Sequence, residues 1–133
     1  MRRERLFIVV AAVLVASTTY ALLAAEDDTP YGDVSVEQAR GLIRSKPGLM
    51  VLDVRTAAEY DESHISGALN MPVQELEGRL SELDSSAEYL VYCRTGNRSS
   101  VAVQLMKAAG FDKVYHMSRG ITAWIGAGYP VVG

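Results

Sequence analysis

The stretch Tyr89-Leu90-Val91-Tyr92-Cys93-Arg94-Thr95-Gly96-Asn97-Arg98-Ser99-Ser100 decides the reading of this chain. Leu90, Val91 and Tyr92 are apolar and aromatic types that suit a parallel strand covered on both faces. Gly96 and Asn97 tolerate positive φ and allow a sharp polar loop. From Arg98 onward Val101, Leu105, Met106 and Ala109 recur at helical spacing, and Gly110 suits the position past a helix end. The order is therefore strand, loop, helix, with the only cysteine where the strand stops.

A loop that curls into a helix N-terminus aims several backbone N–H groups at one point, with the positive end of the helix dipole behind them. Cys93 at the rim of such a cup, with Arg94 and Arg98 close in sequence, is expected to be reactive. A free thiol titrates near ~8.5, and these surroundings lower that value toward neutral pH.

Outward from this stretch, apolar runs alternate with helical patterns. Ser35-Val36-Glu37-Gln38 reads as a capping box opening a helix over 36–45, which Lys46-Pro47-Gly48 stops. Leu49 to Val54 is an apolar strand interrupted by Asp53. Thr56 to Glu59 is a second capping box, and Asp53, Arg55 and Glu59 are expected to bond together at that turn. His64 lies in a polar turn leading to a short strand near Asn70. Neither it nor His116 has Cys or acidic neighbours at metal-ligand spacing, so no metal or cofactor is expected. A helix over 74–83 carries the stripe Leu76, Leu80 and Leu83. Val114 to Met117 is a further strand. Ile121 to Ile125 is a last helix, with Trp124 packing it onto the sheet, and Tyr129 to Val132 is extended. Strands alternating with helices predict an α/β fold: a small parallel five-stranded sheet with helices on both faces and its site at the C-terminal strand ends.

The N-terminus has another character. Met1 to Arg5 is basic, Leu6 to Ala16 apolar, and Ser17 to Ala25 small, the layout of a secretory signal. Leu6 to Ala25, at 20 residues, also suits a membrane anchor. Both readings of 1–25 place the rest outside the cytoplasmic membrane, periplasmic or exported. Residues 26–32 read as a flexible linker and 33–133 as one domain. Residues 1–25 hold three Arg and one Glu, leaving ten basic and fifteen acidic residues, a net charge of about −5. That excludes a nucleic-acid surface and requires local positive charge to hold an anionic substrate. A single cysteine excludes an internal disulfide.

Leu52-Asp53-Val54-Arg55 with Glu59-Tyr60, then His64 to Asn70, then Val91 to Ser99, then Gly120-Ile121-Thr122-Ala123-Trp124 with Ala127 to Val131, resemble the rhodanese sulfurtransferases in order and spacing. Ser63 and Arg119 stand where that family often has glycine. The resemblance implies a catalytic Cys93 that accepts a sulfane sulfur from a donor such as thiosulfate. It also implies that Arg94, Thr95, Gly96, Asn97, Arg98 and Ser99 cradle the persulfide and the donor. Cyanide or a thiol, which includes a protein acceptor, then takes the sulfur. A persulfide carrier serving a protein partner is one alternative. A cysteine phosphatase or arsenate reductase-like enzyme is another, but such enzymes place Arg at the sixth position after Cys, where this chain has Ser99 and carries Arg98 at the fifth.

Overall fold

The computed structural model describes residues 30–133, so the leader over 1–25 and the start of the linker lie outside the described residues. The elements are β1 (Gly32–Val34), α1 (Val36–Ser45), β2 (Met50–Asp53), α2 (Ala57–Glu62), β3 (Leu69–Asn70), α3 (Val73–Arg79), a 3-10 turn (Leu80–Glu82), β4 (Tyr89–Tyr92), α4 (Asn97–Ala108), β5 (Val114–Met117) and α5 (Gly120–Gly126). The five strands form one sheet in the order β1-β5-β4-β2-β3, and every pairing is parallel. This is the α/β architecture expected from the alternation of patterns.

Both expected capping boxes form. The Ser35 hydroxyl accepts from Gln38 N and the Gln38 side chain accepts from Ser35 N; Thr56 and Glu59 repeat the arrangement. Strand β4 is central, and all four of its residues are buried. Alternation along it divides the core. Leu90 and Tyr92 join Val36, Ala39, Leu42, Ile121 and Trp124 of α1 and α5. Tyr89, Val91 and Cys93 join Leu76, Ala102, Val103 and Met106 of α3 and α4 on the other face. Burial of each large apolar side chain contributes roughly 2 kcal/mol against chain entropy.

The structure corrects several details. Gly32 opens β1, and the Tyr31 ring packs on Tyr115 with centroids 4.7 Å apart, so the end of the expected linker belongs to the fold. Edge pairing with β5, invisible in so short a segment, makes this strand. Helix α4 begins at Asn97 and its buried face is Ser99, Ala102, Val103 and Met106, whereas Val101 is 52% exposed. Helix α3 ends at Arg79 and tightens into the 3-10 turn, although Leu76, Leu80 and Leu83 do pack on one side.

The chain runs from β2 outward to β3, then returns beside β2 as β4 and continues to β5 on the other side. Sequence order therefore reverses between β2 and β4. Loops leaving their C-terminal ends diverge there, which opens the crevice that such sheets use for ligands.

Candidate active site

The loop after β4 closes tightly on the Cys93 sulfur. The Gly96 N–H donates to Sγ at 3.1 Å, and Ser99 Oγ lies 3.2 Å from it. Gly96 has φ +108° and stands as the N-cap of α4, with no side-chain cap of its own. A Cβ there would overlap the Ser118 carbonyl oxygen. Gly120, at φ +70°, would likewise collide with the backbone of Arg94 and Thr95. The turn after β5 thus seats against the cysteine loop. Ile121 N–H donates to the Cys93 carbonyl at 3.0 Å and Thr122 N–H to the Arg94 carbonyl at 3.2 Å.

Cys93 is only 1% exposed, so the sulfur is buried, but in a polar cup rather than in hydrocarbon alone. Burial pushes the thiol up. Hydrogen bonding by the Ser99 hydroxyl and by backbone N–H groups of Ser99, Gly96 and Thr95 outweighs it and holds the thiol below its ordinary value. The cup of N–H groups expected here is present, with the sulfur buried inside it rather than at its rim.

The other loop residues divide by role. Arg94, Thr95 and Asn97 are exposed, whereas Gly96 and Ser99 are buried. Arg98 is bidentate on Glu59, Nη1 to Oε1 at 2.7 Å and Nη2 to Oε2 at 3.0 Å. The Arg98 side chain, joined by the Thr56 hydroxyl, holds the Glu59 carboxyl down at about 2. Glu59 was expected to bond with Asp53 and Arg55; it instead ties α2 to the cysteine loop. Asp53 and Arg55 do pair, at 2.6 Å and almost wholly buried, and Arg55 Nη2 also donates to the Ser63 carbonyl. Asn70 Nδ2 donates to the Asp53 and Arg55 carbonyls, which fixes the turn after β2.

A cleft of about 320 Å³ lies beside the loop, lined by Arg55, Glu59, Glu62, Ser63, Arg94 and residues of α5. Two of its charges are matched internally, Arg55 by Asp53 and Glu59 by Arg98. Arg94 and Glu62 remain, both exposed and neither in an ion pair among the described residues, which leaves Arg94 as the unpaired cation of the cleft. Cys93 is not among the residues that line this cleft. His64 stands apart: its Nδ1 is 2.8 Å from the Tyr60 carbonyl and its ring stacks on Tyr60, a structural role. Trp124 Nε1 donates to the Pro130 carbonyl at 2.9 Å and packs α5 as expected. Among the described residues no cluster of His, Cys, Asp or Glu could hold a metal.

Sequence reasoning assigned nothing to His116 or Asp33. The structure places His116 Nε2 2.7 Å from Ser99 Oγ, and His116 Nδ1 3.0 Å from Asp33 Oδ1. The only available signal was a polar residue inside an apolar strand. Its partners lie 17 and 83 residues away.

A parallel sheet with a cysteine seated in an amide cup at the end of its central strand defines a class of thiol-dependent domains. Residues 35–127 match the Rhodanese-like domain, and the chain belongs to that family. It is 34% identical over 103 residues to YrkF of Bacillus subtilis, a candidate sulfur carrier protein, covering 77% of this chain and 56% of that one. The chain thus spans little more than half of that relative. A sulfurtransferase of Allochromatium vinosum is 33% identical over 84 residues, 63% of this chain and 78% of that one. Among solved structures, a rhodanese-related protein of Thermoplasma volcanium superposes with TM-score 0.68 at 32% identity, covering 77% of this chain and 98% of that one. The human single-domain sulfurtransferase TSTD1 gives 0.66 at 27% identity, over 74% of this chain and 96% of that one.

Proposed function

We propose that this domain is a sulfurtransferase that moves a sulfane sulfur from thiosulfate to cyanide or a thiol, with Cys93 as the catalytic residue. The observation that carries this reading is the Cys93 sulfur held by Gly96 N–H and Ser99 Oγ at the helix N-terminus. The chemistry is ping-pong. The Cys93 thiolate attacks the outer sulfur of thiosulfate, a new S–S bond forms, the old one breaks, and sulfite leaves with its electron pair. The acceptor then attacks the outer persulfide sulfur and regenerates the thiolate. The loop N–H groups of Thr95 to Ser99 receive the persulfide charge, and exposed Arg94 draws in the anionic donor. Arg98 serves the loop through Glu59. No cofactor or metal enters these steps.

Similarity to a candidate sulfur carrier favours a second reading, in which a protein partner loads or receives the persulfide. The layout of residues 1–25 supports a domain exported to the periplasm or anchored at the membrane.

Intact-mass spectrometry before and after thiosulfate tests the proposal. The expected product is one added sulfur atom, absent in Cys93→Ser and removed by cyanide. Aryl-phosphate turnover without sulfur uptake overturns it. Slow uptake from thiosulfate with rapid persulfidation by a protein donor favours the carrier.

A further inference from the structure

The Ser99 hydroxyl joins two groups that are distant in the chain. It lies 3.2 Å from Cys93 Sγ and 2.7 Å from His116 Nε2, and it is also within 3.2 Å of the Gly96 carbonyl. The far ring nitrogen of His116 meets Asp33 Oδ1 at 3.0 Å. The sheet imposes this line. Asp33 pairs directly with His116 across β1 and β5, and His116 with Val91 across β5 and β4. In-register parallel neighbours face the same side, and Cys93, two residues past Val91, faces that side too. Helix α4 covers it and lowers Ser99 onto the line. Ser99 and His116 are buried, whereas the Asp33 side chain is 76% exposed. A hydrogen-bonded path therefore runs from the buried sulfur to solvent at the sheet edge.

A serine hydroxyl has one hydrogen to give, and this limits the arrangements. With a neutral thiol, S–H donates to Ser99 Oγ, Ser99 O–H to His116 Nε2 at 2.7 Å in preference to the Gly96 carbonyl at 3.2 Å, and His116 Nδ1–H to the Asp33 carboxylate. Every donor then has an acceptor. With a thiolate, Ser99 O–H turns to the sulfur and Nε2 must become the donor to Oγ. The ring then carries both protons, with Nδ1 donating to the Asp33 carboxylate and Nε2 to Ser99 Oγ. Passing between the two arrangements breaks the S–H bond as an O–H bond forms, and breaks the original O–H bond as an N–H bond forms. No other reactant is needed.

We propose that His116, oriented by Asp33, takes the Cys93 proton through Ser99 and holds the nucleophile as a thiolate–imidazolium pair with a serine between. His116 is a positioning residue, since it acts through Ser99 and lies behind the sulfur. The relay leaves the mouth of the loop to the anionic donor and keeps the proton on the ring, against Asp33. It deepens the reading of Cys93 as nucleophile and rests on it. Asp33 from β1 and Ser99 from α4 face the ring, while β4 sets Val91 beside it. Arg98, whose charge the Cys93 sulfur feels, is already paired with Glu59. The dominant hydrogen-bond contribution lowering the thiol comes from Ser99, the residue that His116 holds.

Because Cys93 is the only cysteine, ultraviolet thiolate absorbance measured against Cys93→Ser titrates it alone. The His116→Gln midpoint is expected about one pH unit or more above wild type, with Asp33→Asn in between. Asp33→Asn alters an exposed side chain, so it reports even if His116→Gln folds poorly. Nitrogen NMR of the wild-type ring is expected to show both nitrogens protonated while Cys93 is a thiolate. Midpoints unchanged in both variants, or a ring that stays singly protonated beside the thiolate, overturn the relay. No sulfur donor is present in these measurements. A protein that fails to transfer sulfur but shows the shifts keeps the relay and loses the proposed function; the converse result loses the relay alone.

Discussion

Glu59 and Arg98 form a two-pronged ion pair across 39 residues of sequence, and the same Glu59 carboxylate closes the capping box on Thr56. One side chain thus starts α2 and anchors the first turn of α4 beside the cysteine loop. The pairing has a defined pH window. The carboxyl lies at about 2 in the fold against 4.5 when unperturbed, so its contribution is complete above about 4.5 and disappears as pH falls through about 2. Melting temperatures of wild type and Glu59→Gln are expected to differ at pH 6 and to converge toward pH 2. A difference that persists undiminished at the acid end contradicts the assignment.

Arg94 and Arg98 are predicted to behave differently on removal. Arg94 is exposed at the cleft rim, so Arg94→Ala should leave stability within about 0.5 kcal/mol. It should raise KM for thiosulfate about tenfold and flatten the dependence of KM on ionic strength. Arg98→Ala should cost roughly 0.5–1 kcal/mol and loosen the loop. Steady-state kinetics at two salt concentrations beside urea titrations check both. An unchanged KM in Arg94→Ala removes that residue from donor binding.

Gly120→Ala places a methyl group against the Arg94 and Thr95 backbone at positive φ. A destabilisation of about 2 kcal/mol is expected, read as a lower urea midpoint. The displaced loop should also slow persulfide formation. Gly126, with open space around its α-carbon and no positive φ, is the control, and its alanine variant should match wild type in the kinetics.

Asp53 and Arg55 test what the buried pair is for. Removing either partner strands a charge, and a loss of about 3–5 kcal/mol is expected for Arg55→Met or Asp53→Leu alone. The double variant should lose clearly less than the sum of the singles, because no charge is then left uncompensated. Denaturant unfolding of the four proteins closes the cycle. Additive losses contradict a direct coupling.

The parts legible in the sequence are those whose causes are local. The caps at Ser35 and Thr56, the strand ending at Tyr92, the turn at Gly96 and the span of β5 each follow from signals within a few residues. Strand β1 was missed because its three residues hold no pattern without β5 beside them. Helical periodicity points Val101 inward, whereas Ser99, a polar residue, occupies the buried stripe of α4. Nearness along the chain points Glu59 to Asp53 and Arg55, whereas its partner Arg98 lies 39 residues away.

The sequence by itself determined a parallel α/β domain with its single thiol at a strand end facing a helix N-terminus. Periodicity, capping and turn residues act through the nearest hydrogen bonds and dihedrals, and those are written locally. Only the tertiary structure decided that Arg98 answers Glu59, that Gly120 seats the loop, and that Asp33 and His116 reach the sulfur through Ser99. These contacts depend on strand order and register, which arise from packing the whole sheet and from no single segment of the chain.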